Sequence, residues 1–383
     1  MRLKRGLYIL WITLILLPPL FYFIPVYKTK QLNGWIAEVN KPEITLKAIY
    51  EGRFQHEAEA FYNDKLCFHP DFVRLRNQIY YSCFDIAYHE KTLIGKQGYF
   101  YEKGYINNVF YGLYSQPSSV HREKSEKLFK IQDTLEALGK EFLFVFAPGK
   151  GSYYPEYIPS RMLHKKVLLL PNEDYMHWFD SLGVHYIDLD KWFIELKKQG
   201  YPPLYSKNGI HYNKYGTYMT IDTLAKYFNK KFPFMPEVIL DSIVKSDVAW
   251  ENENDCFESA NVIQHAPKQT LYYPYFHYAQ SDTSKGSSLQ ARKKCIFIGD
   301  SYIWPLTLLD FDSKYFDDGQ YWYYFNEVSR PKQWPHLNIK DIDVKEELKN
   351  TDVIIVMFTN ATTLDLDNGF TDKVFELFFE KEK

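Results

Sequence analysis

Three short stretches of the 383-residue chain carry side chains suited to acyl chemistry. The first is Gly299-Asp300-Ser301-Tyr302, directly after the apolar run Cys295-Ile296-Phe297-Ile298. A serine at the tip of a strand-to-helix turn exposes its Oγ. Amides opening the next helix point at the same space, where negative charge develops when a carbonyl is attacked. Glycine at 299 admits a tight turn without a Cβ clash. The second stretch is Asn208-Gly209-Ile210-His211-Tyr212-Asn213, ahead of a helical pattern. A neutral imidazole in a loop is the usual base for a serine hydroxyl. The third is Val353–Met357 running into Phe358-Thr359-Asn360, whose side-chain amide is placed to donate to an oxyanion. Singly, such residues cap helices or decorate loops. Together they define a reading: Ser301 as nucleophile, His211 as base, and the amides of Ser301 and Tyr302 with Asn360 as oxyanion donors.

Other chemistry fits less well. Gly149-Lys150-Gly151-Ser152 ends like a phosphate-binding loop, but residue 145 is Val where that loop needs glycine. Lys150 is left with two readings, a contact to an anionic sugar or a buried stem. The acidic group Asp310, Asp312, Asp317 and Asp318 has no EF-hand spacing and reads as a solvated loop. No metal site and no cofactor motif is legible. Four cysteines (Cys67, Cys83, Cys256, Cys295) are too few and too scattered for a disulfide-framed fold, with Cys67–Cys83 the local candidate pair.

The elements that must position these residues alternate in type. A helix with the stripe Leu128, Ile131, Leu135 and Leu138 starts at Ser118 or Ser119 and stops at Gly139. Phe142–Phe146 follows as an apolar run, the mark of a strand buried on both faces. Asn172 caps a helix to Leu182, Val184–Leu189 is a strand, Asp190 to Lys198 a helix, and a helix from about Lys214 to Phe228 follows His211. Then come strand Cys295–Ile298, a helix near Ile303, strand Tyr321–Phe325, helix Val344–Lys349 and strand Val353–Met357. This alternation predicts an α/β fold with a mostly parallel sheet covered on both faces, and active residues in loops at the strands' carboxyl ends. Residues 28–118 form a helical lead-in, with helices around Ala48–Phe61 and Phe72–Phe84 and a hairpin from Thr92-Leu93-Ile94 to Tyr99-Phe100-Tyr101. Residues 119–383 form the α/β domain, and the polar, Tyr-rich stretch 248–292 reads as an insertion of loop or hairpin character.

Residues 1–27 read as a cytoplasmic tip and membrane anchor. Gly6 to Tyr27 is uncharged and long enough, at 1.5 Å per residue, to cross a hydrocarbon core of about 30 Å. Arg2, Lys4 and Arg5 precede it, which leaves the N-terminus in the cytoplasm and exports the rest. No small-x-small cleavage site follows, so a single-pass anchor is favoured over a cleaved signal peptide. The exported domain is then periplasmic or outside the cell. A net charge of −2 gives no electrostatic reason for nucleic acid as partner. With 33 Tyr and 29 Phe, the chain has aromatic area either for a bulky core or for stacking on sugar rings.

A GDS block after a strand, with a histidine block before a helix, resembles the SGNH/GDSL hydrolase superfamily. The histidine block precedes the serine block by ninety positions, and that order, with the N-terminal anchor, is similar to the alginate O-acetyltransferase branch of periplasmic polysaccharide acetyltransferases. Leu93-Ile94-Gly95-Lys96-Gln97-Gly98-Tyr99-Phe100 resembles that branch's GKDGWLF hairpin. Phe146-Ala147-Pro148-Gly149-Lys150, with Tyr154-Pro155-Glu156 and Ile158-Pro159, resembles its P-x-K and YPE stretch. The resemblance implies an SGNH-like three-layer α/β/α domain. It also implies O-acetyl transfer to, or deacetylation of, a cell-surface polysaccharide, and a multi-pass membrane acyltransferase as donor partner at the inner membrane.

One departure bears on mechanism. The branch carries Asp two residues before the histidine, and many esterases three before, where this chain has Gly209 and Asn208. A carboxylate orients the imidazole and stabilises its charged form, and the comparable Asp-to-Asn change in a serine protease costs about 10⁴ in turnover. Asn208 and Asp300 are the neighbouring candidates for orienting His211, with Asp222 a further one. The alternatives are a Ser–His dyad, a carboxylate from elsewhere, weak activity, or a catalytically silent glycan-binding or assembly component that keeps the fold.

Overall fold

The computed structural model describes residues 2–23, 29–34, 39–65, 68–87, 91–111, 116–163, 170–251, 253–279, 292–317, 319–330 and 337–380. The chain divides into two compact units. One comprises Met1–Thr92 with Phe257–Ala266, the other Leu93–Cys256 with Pro267–Lys383.

The larger unit is built on a seven-stranded sheet. Its order is Leu337–Asn338, Glu327–Ser329, Gln320–Tyr323, Cys295–Gly299, Val353–Thr359, Glu141–Ala147 and Tyr186–Asp188. The last five run parallel, and the first two add an antiparallel edge. Sequence periodicity dictates the layers. In the three central strands every residue is buried, and successive side chains point to opposite faces. Phe142, Phe144, Phe146, Ile296, Ile298, Ile354, Val356 and Phe358 pack on one face with Leu128, Ile131 and Leu135 of helix Ser118–Ala137 and Tyr175 and Phe179 of helix Pro171–Leu182. Leu143, Val145, Phe297, Ile355 and Met357 pack on the other with Phe193 of helix Leu189–Lys198 and Ile221, Leu224 and Phe228 of helix Lys214–Lys231. At about 1.5–3 kcal/mol for each large side chain removed from water, these two layers are the main source of the unit's stability. The result is an α/β domain with helices on both faces of a mostly parallel sheet.

Register sets the height of the loops. Gly299 pairs with Met357, and Thr359 with Ala147, so three neighbouring strands end at nearly the same level. The segments starting at Pro148, Asp300 and Asn360 therefore emerge side by side at the carboxyl edge. Gly299 is obligatory for a reason beyond the turn: a Cβ there would collide with the Met357 carbonyl and the Ile303 side chain.

Details differ from the sequence expectation. The serine opens a 3₁₀ turn, Ser301–Ile303, and only then comes the short helix Trp304–Thr307, with Pro305 in its first turn, where a missing N–H is tolerated. Pro171 opens the helix assigned to an Asn172 cap, as its preset φ suits the first turn. The stretch expected as an insertion begins inside a larger excursion that opens at Glu237. Strands Glu237–Ser246 and Leu271–Ala279 pair antiparallel as a separate ribbon, with Val238, Phe276 and Tyr278 packed on the core.

In the smaller unit lie helices Arg2–Phe23, Leu46–Tyr50, Arg53–Lys65 and His69–Phe84, and Asn77 donates to the Ala260 carbonyl at 2.8 Å. The expected anchor finds no support here. A helix forms over Arg2–Phe23, but no helix among the described residues is long and apolar enough to cross a membrane. The side chains of residues 17–28 lie outside those described. Cys67, half of the candidate disulfide, lies outside them as well.

Candidate active site

Ser301 stands at the carboxyl end of the Cys295–Gly299 strand, on a turn held by its neighbour. Asp300 is fully buried, and its Oδ1 accepts from the Tyr302 amide at 3.0 Å. Its Oδ2 accepts from the Thr359 amide and hydroxyl, both at 2.8 Å, and from the Thr362 hydroxyl at 2.6 Å. Four donors thus satisfy a buried carboxylate and clamp the serine turn to the next strand's end.

His211 arrives on the loop before helix Lys214–Lys231, whose N-cap is Asn213, with its side chain accepting from the Gly216 amide at 2.8 Å. Its Nε2 lies 2.8 Å from Ser301 Oγ. The two loops grip each other: Tyr302 Oη donates to the Ile210 carbonyl at 2.8 Å, and Tyr212 Oη donates to the Tyr302 carbonyl. The rings of His211 and Tyr302 sit 4.9 Å apart.

The carboxylate that sequence reasoning did not locate is Asp255. Its Oδ2 lies 2.6 Å from His211 Nδ1, and its Oδ1 accepts from the amides of Ile210 at 2.8 Å and Cys256 at 2.6 Å. Asp255 therefore fixes both the imidazole and the backbone beside it. Its source is the excursion between the ribbon strands, 44 residues after the histidine. An acidic residue opening a short helical pattern was the only signal, and that pattern is common. Burial opposes the imidazolium of His211, but the hydrogen bond and charge of Asp255, with the charges of Asp300 and Glu102 beyond it, outweigh burial and raise its pKa above the ordinary value.

The other candidates find different roles. Asn208 does not orient the imidazole; its Nδ2 donates to Asn254 Oδ1 at 3.1 Å and the Pro267 carbonyl at 2.9 Å. Asp300 is occupied by the turn, and Asp222 is paired with Lys226 on the helix surface at 2.7 Å. Of the three oxyanion donors expected, two have their N–H groups engaged. The Tyr302 amide is bound by Asp300. Both Nδ2 hydrogens of Asn360 are taken, by Ser152 Oγ and by Asp190 Oδ2 at 3.0 Å. Among the described residues the Ser301 amide alone of the three shows no such engagement. Asp190, buried, also accepts from the Gly149 amide at 3.0 Å, and burial pushes its pKa up to about 7. Lys150 is not a surface contact. It is 3% exposed, and its Nζ donates to the carbonyls of Lys207 at 2.9 Å and Gly209 at 2.6 Å.

Beside these residues a cleft is lined by Glu102, Tyr105, Lys150, Gly151, Ile210 and Asn360 among others. Tyr105, Trp304, Tyr323 and Tyr324 are only half-buried, while most other aromatics of this unit serve the core. Among the described residues no group of His, Cys, Asp and Glu is arranged to hold a metal ion.

A nucleophile hydrogen-bonded to a base, with the base bonded to a carboxylate, is the arrangement that activates a serine for acyl transfer. The family model described as "SGNH hydrolase-like domain, acetyltransferase AlgX" matches residues 94–307. Among solved structures, the O-acetyltransferase domain of Pseudomonas putida AlgJ is similar at 13% identity and TM-score 0.44, over 73% of this chain and 94% of that one. Pseudomonas aeruginosa AlgX follows at 12% and 0.42, over 73% and 67%. Bacillus cereus PatB1 with a sulfonyl adduct gives 10% and 0.41, over 70% and 93%. No curated protein matches the sequence.

Proposed function

From the premise that the chain belongs to the family of the SGNH hydrolase-like domain of acetyltransferase AlgX, we propose that it moves acyl groups, acetyl above all, onto or off hydroxyls of a cell-surface glycan. The observation that carries this reading is the continuous relay from Asp255 through His211 to Ser301, with contacts of 2.6 and 2.8 Å.

In the proposed mechanism His211 Nε2 takes the Ser301 proton as Oγ attacks an ester carbonyl. Asp255 holds the tautomer that presents Nε2 and stabilises the imidazolium that forms. The Ser301 amide donates to the oxyanion. When the tetrahedral intermediate collapses, His211 returns its proton to the departing alkoxide, leaving an acyl-serine. A second hydroxyl then gives its proton to His211 and attacks the acyl carbon, and as this intermediate collapses His211 returns the proton to Ser301 Oγ. A sugar hydroxyl at this step makes the protein an O-acetyltransferase, and water makes it an esterase. The silent glycan-binding alternative rests on Asn208 standing where the branch has a carboxylate and on the aromatic surface, and Asp255 answers only the first.

Placement belongs to the same proposal. The basic residues ahead of the apolar N-terminal segment favour an anchored chain with this domain in the periplasm or outside the cell. There the donor would be an acyl group delivered by a multi-pass membrane acyltransferase.

The test is to incubate the protein with an activated acetyl ester, quench in acid and read the intact mass. An acetyl adduct that maps to Ser301, disappears in Ser301→Ala and slows in His211→Ala is expected. No adduct and no turnover with any donor would sink the enzymatic reading in favour of glycan binding alone.

A further inference from the structure

We infer that Lys150 is a positioning residue for the catalytic base: its ammonium group pins the loop that delivers His211, rather than meeting substrate. The inference rests on the acyl-transfer reading and adds a residue to it.

The geometry is specific. Lys150 lies just past the carboxyl end of strand Glu141–Ala147, in the short helix Lys150–Tyr153. Its Nζ donates at 2.9 Å to the carbonyl of Lys207 and at 2.6 Å to that of Gly209, two residues before His211. Lys207 O accepts a second bond, from the Phe100 amide at 3.0 Å. One carbonyl therefore joins the hairpin, the Lys150 turn and the histidine loop. The rings of Tyr101 and Tyr99 lie 5.3 and 5.8 Å from Nζ and cover it. No carboxylate among the described residues forms a salt bridge with Lys150, which is unusual for a buried cation. Burial pushes the amine's pKa down to about 7, against the raising effect of Cys256 and Asp255. In either protonation state the amine keeps two N–H donors for the two carbonyls.

The remaining loop amides are held in the same region. Gly209 N donates to Ser206 Oγ at 2.8 Å, and Ile210 N to Asp255 Oδ1 at 2.8 Å. Lys150 thus grips the carbonyls of the segment whose amides Ser206 and Asp255 grip. Freeing Gly209 would let the imidazole swing relative to Ser301, and a displacement of about 1 Å at a reacting group can cost about 100-fold in rate. An anionic sugar at Lys150 would have to displace both carbonyls from an amine that is 3% exposed.

The experiment uses the full chain as wild type, Ser301→Ala, Lys150→Met and Lys150→Gln. Ser301 labelling by a sulfonyl fluoride is followed by intact mass, and p-nitrophenyl acetate supplies kcat and KM. Lys150→Met, which keeps the stem and loses the donors, is expected to slow labelling and lower kcat at least tenfold with KM within twofold. Lys150→Gln, which restores N–H donors, is expected to recover part of both. Wild-type rates in Lys150→Met, or a raised KM at unchanged kcat, would overturn the positioning role. So would two variants that do not fold, since Lys150 would then be a residue of the fold alone. Failure of wild type to label at Ser301 removes the acyl-transfer reading itself and this proposal with it.

Discussion

The serine comes from the heart of the parallel sheet, and the carboxylate from an antiparallel excursion beside it. The Cys295–Gly299 strand has neighbours on both sides and every residue buried. Ribbon strand Glu237–Ser246 pairs with one partner and is mostly exposed. Both regions feed the same histidine: Ser301 at Nε2 and Asp255 at Nδ1. A sheet can fix the height of a loop, but it offers only loops at its carboxyl edge. The excursion is free to bring a carboxylate to whichever side of the imidazole the sheet leaves open.

The largest expected effect tests whether the excursion is truly part of the site. Asp255→Asn should lower kcat for an activated acetyl ester by about 10⁴, as for the equivalent change in a serine protease, with the fold intact. The same variant should move the pH profile. His211 must be neutral to act as base, so activity rises as pH climbs through its pKa, which Asp255 raises. Without that charge the acidic limb should move to lower pH even as the plateau falls. A fall smaller than tenfold with an unmoved limb would mean that a Ser–His dyad suffices and the excursion is architectural.

That split also explains what was legible in the residues. Ser301 could be placed because unbroken apolar runs mark buried strands, and the topology of such sheets puts chemistry at their ends. The strands Glu141–Ala147, Cys295–Gly299 and Val353–Thr359 follow their apolar runs closely for the same reason. His211, by contrast, lies between helices Leu189–Lys198 and Lys214–Lys231 and was singled out only by its residue type ahead of a helical pattern. Asp255 was not legible. It lies among Glu251, Glu253 and Asp255, three acidic residues in five positions with no periodicity to rank them. Glu253 turns instead to Trp250, Lys214 and Tyr273. The oxyanion donors were misassigned for a related reason. Sequence shows that Tyr302 and Asn360 have N–H groups, but not that Asp300, Asp190 and Ser152 already hold them.

On the sheet side, Gly299→Ala should show how little slack the serine turn has. Its Cβ would run into the Met357 backbone, which the sheet does not let move, and into Ile303. A loss of about 3 kcal/mol in unfolding free energy, at the upper end for overpacking, is expected in denaturant titration. A near-neutral result would show that the strand end can shift. Thr362→Val is a milder probe of the same clamp. It removes one of four bonds to a buried carboxylate and should cost about 1.5 kcal/mol, the low end for a hydrogen bond to a charged group.

The smallest effect sharpens the comparison most, because it concerns a side chain that reaches from the histidine loop to the excursion. Asn208 sits three residues before His211, yet its amide donates to Asn254 and Pro267, flanking the segment that carries Asp255. If it acts by holding that segment, Asn208→Ala should lower kcat about tenfold, equivalent to about 1.4 kcal/mol. In an Asp255→Asn background the same change should then cost almost nothing, since there is no longer a carboxylate to place. Costs that add instead would give Asn208 its own hold on the histidine loop. The order of the chain would then matter more to this site than the fold has made it seem. Non-additivity would leave Asn208 as the brace through which His211 keeps a carboxylate that the strand-end loops do not supply.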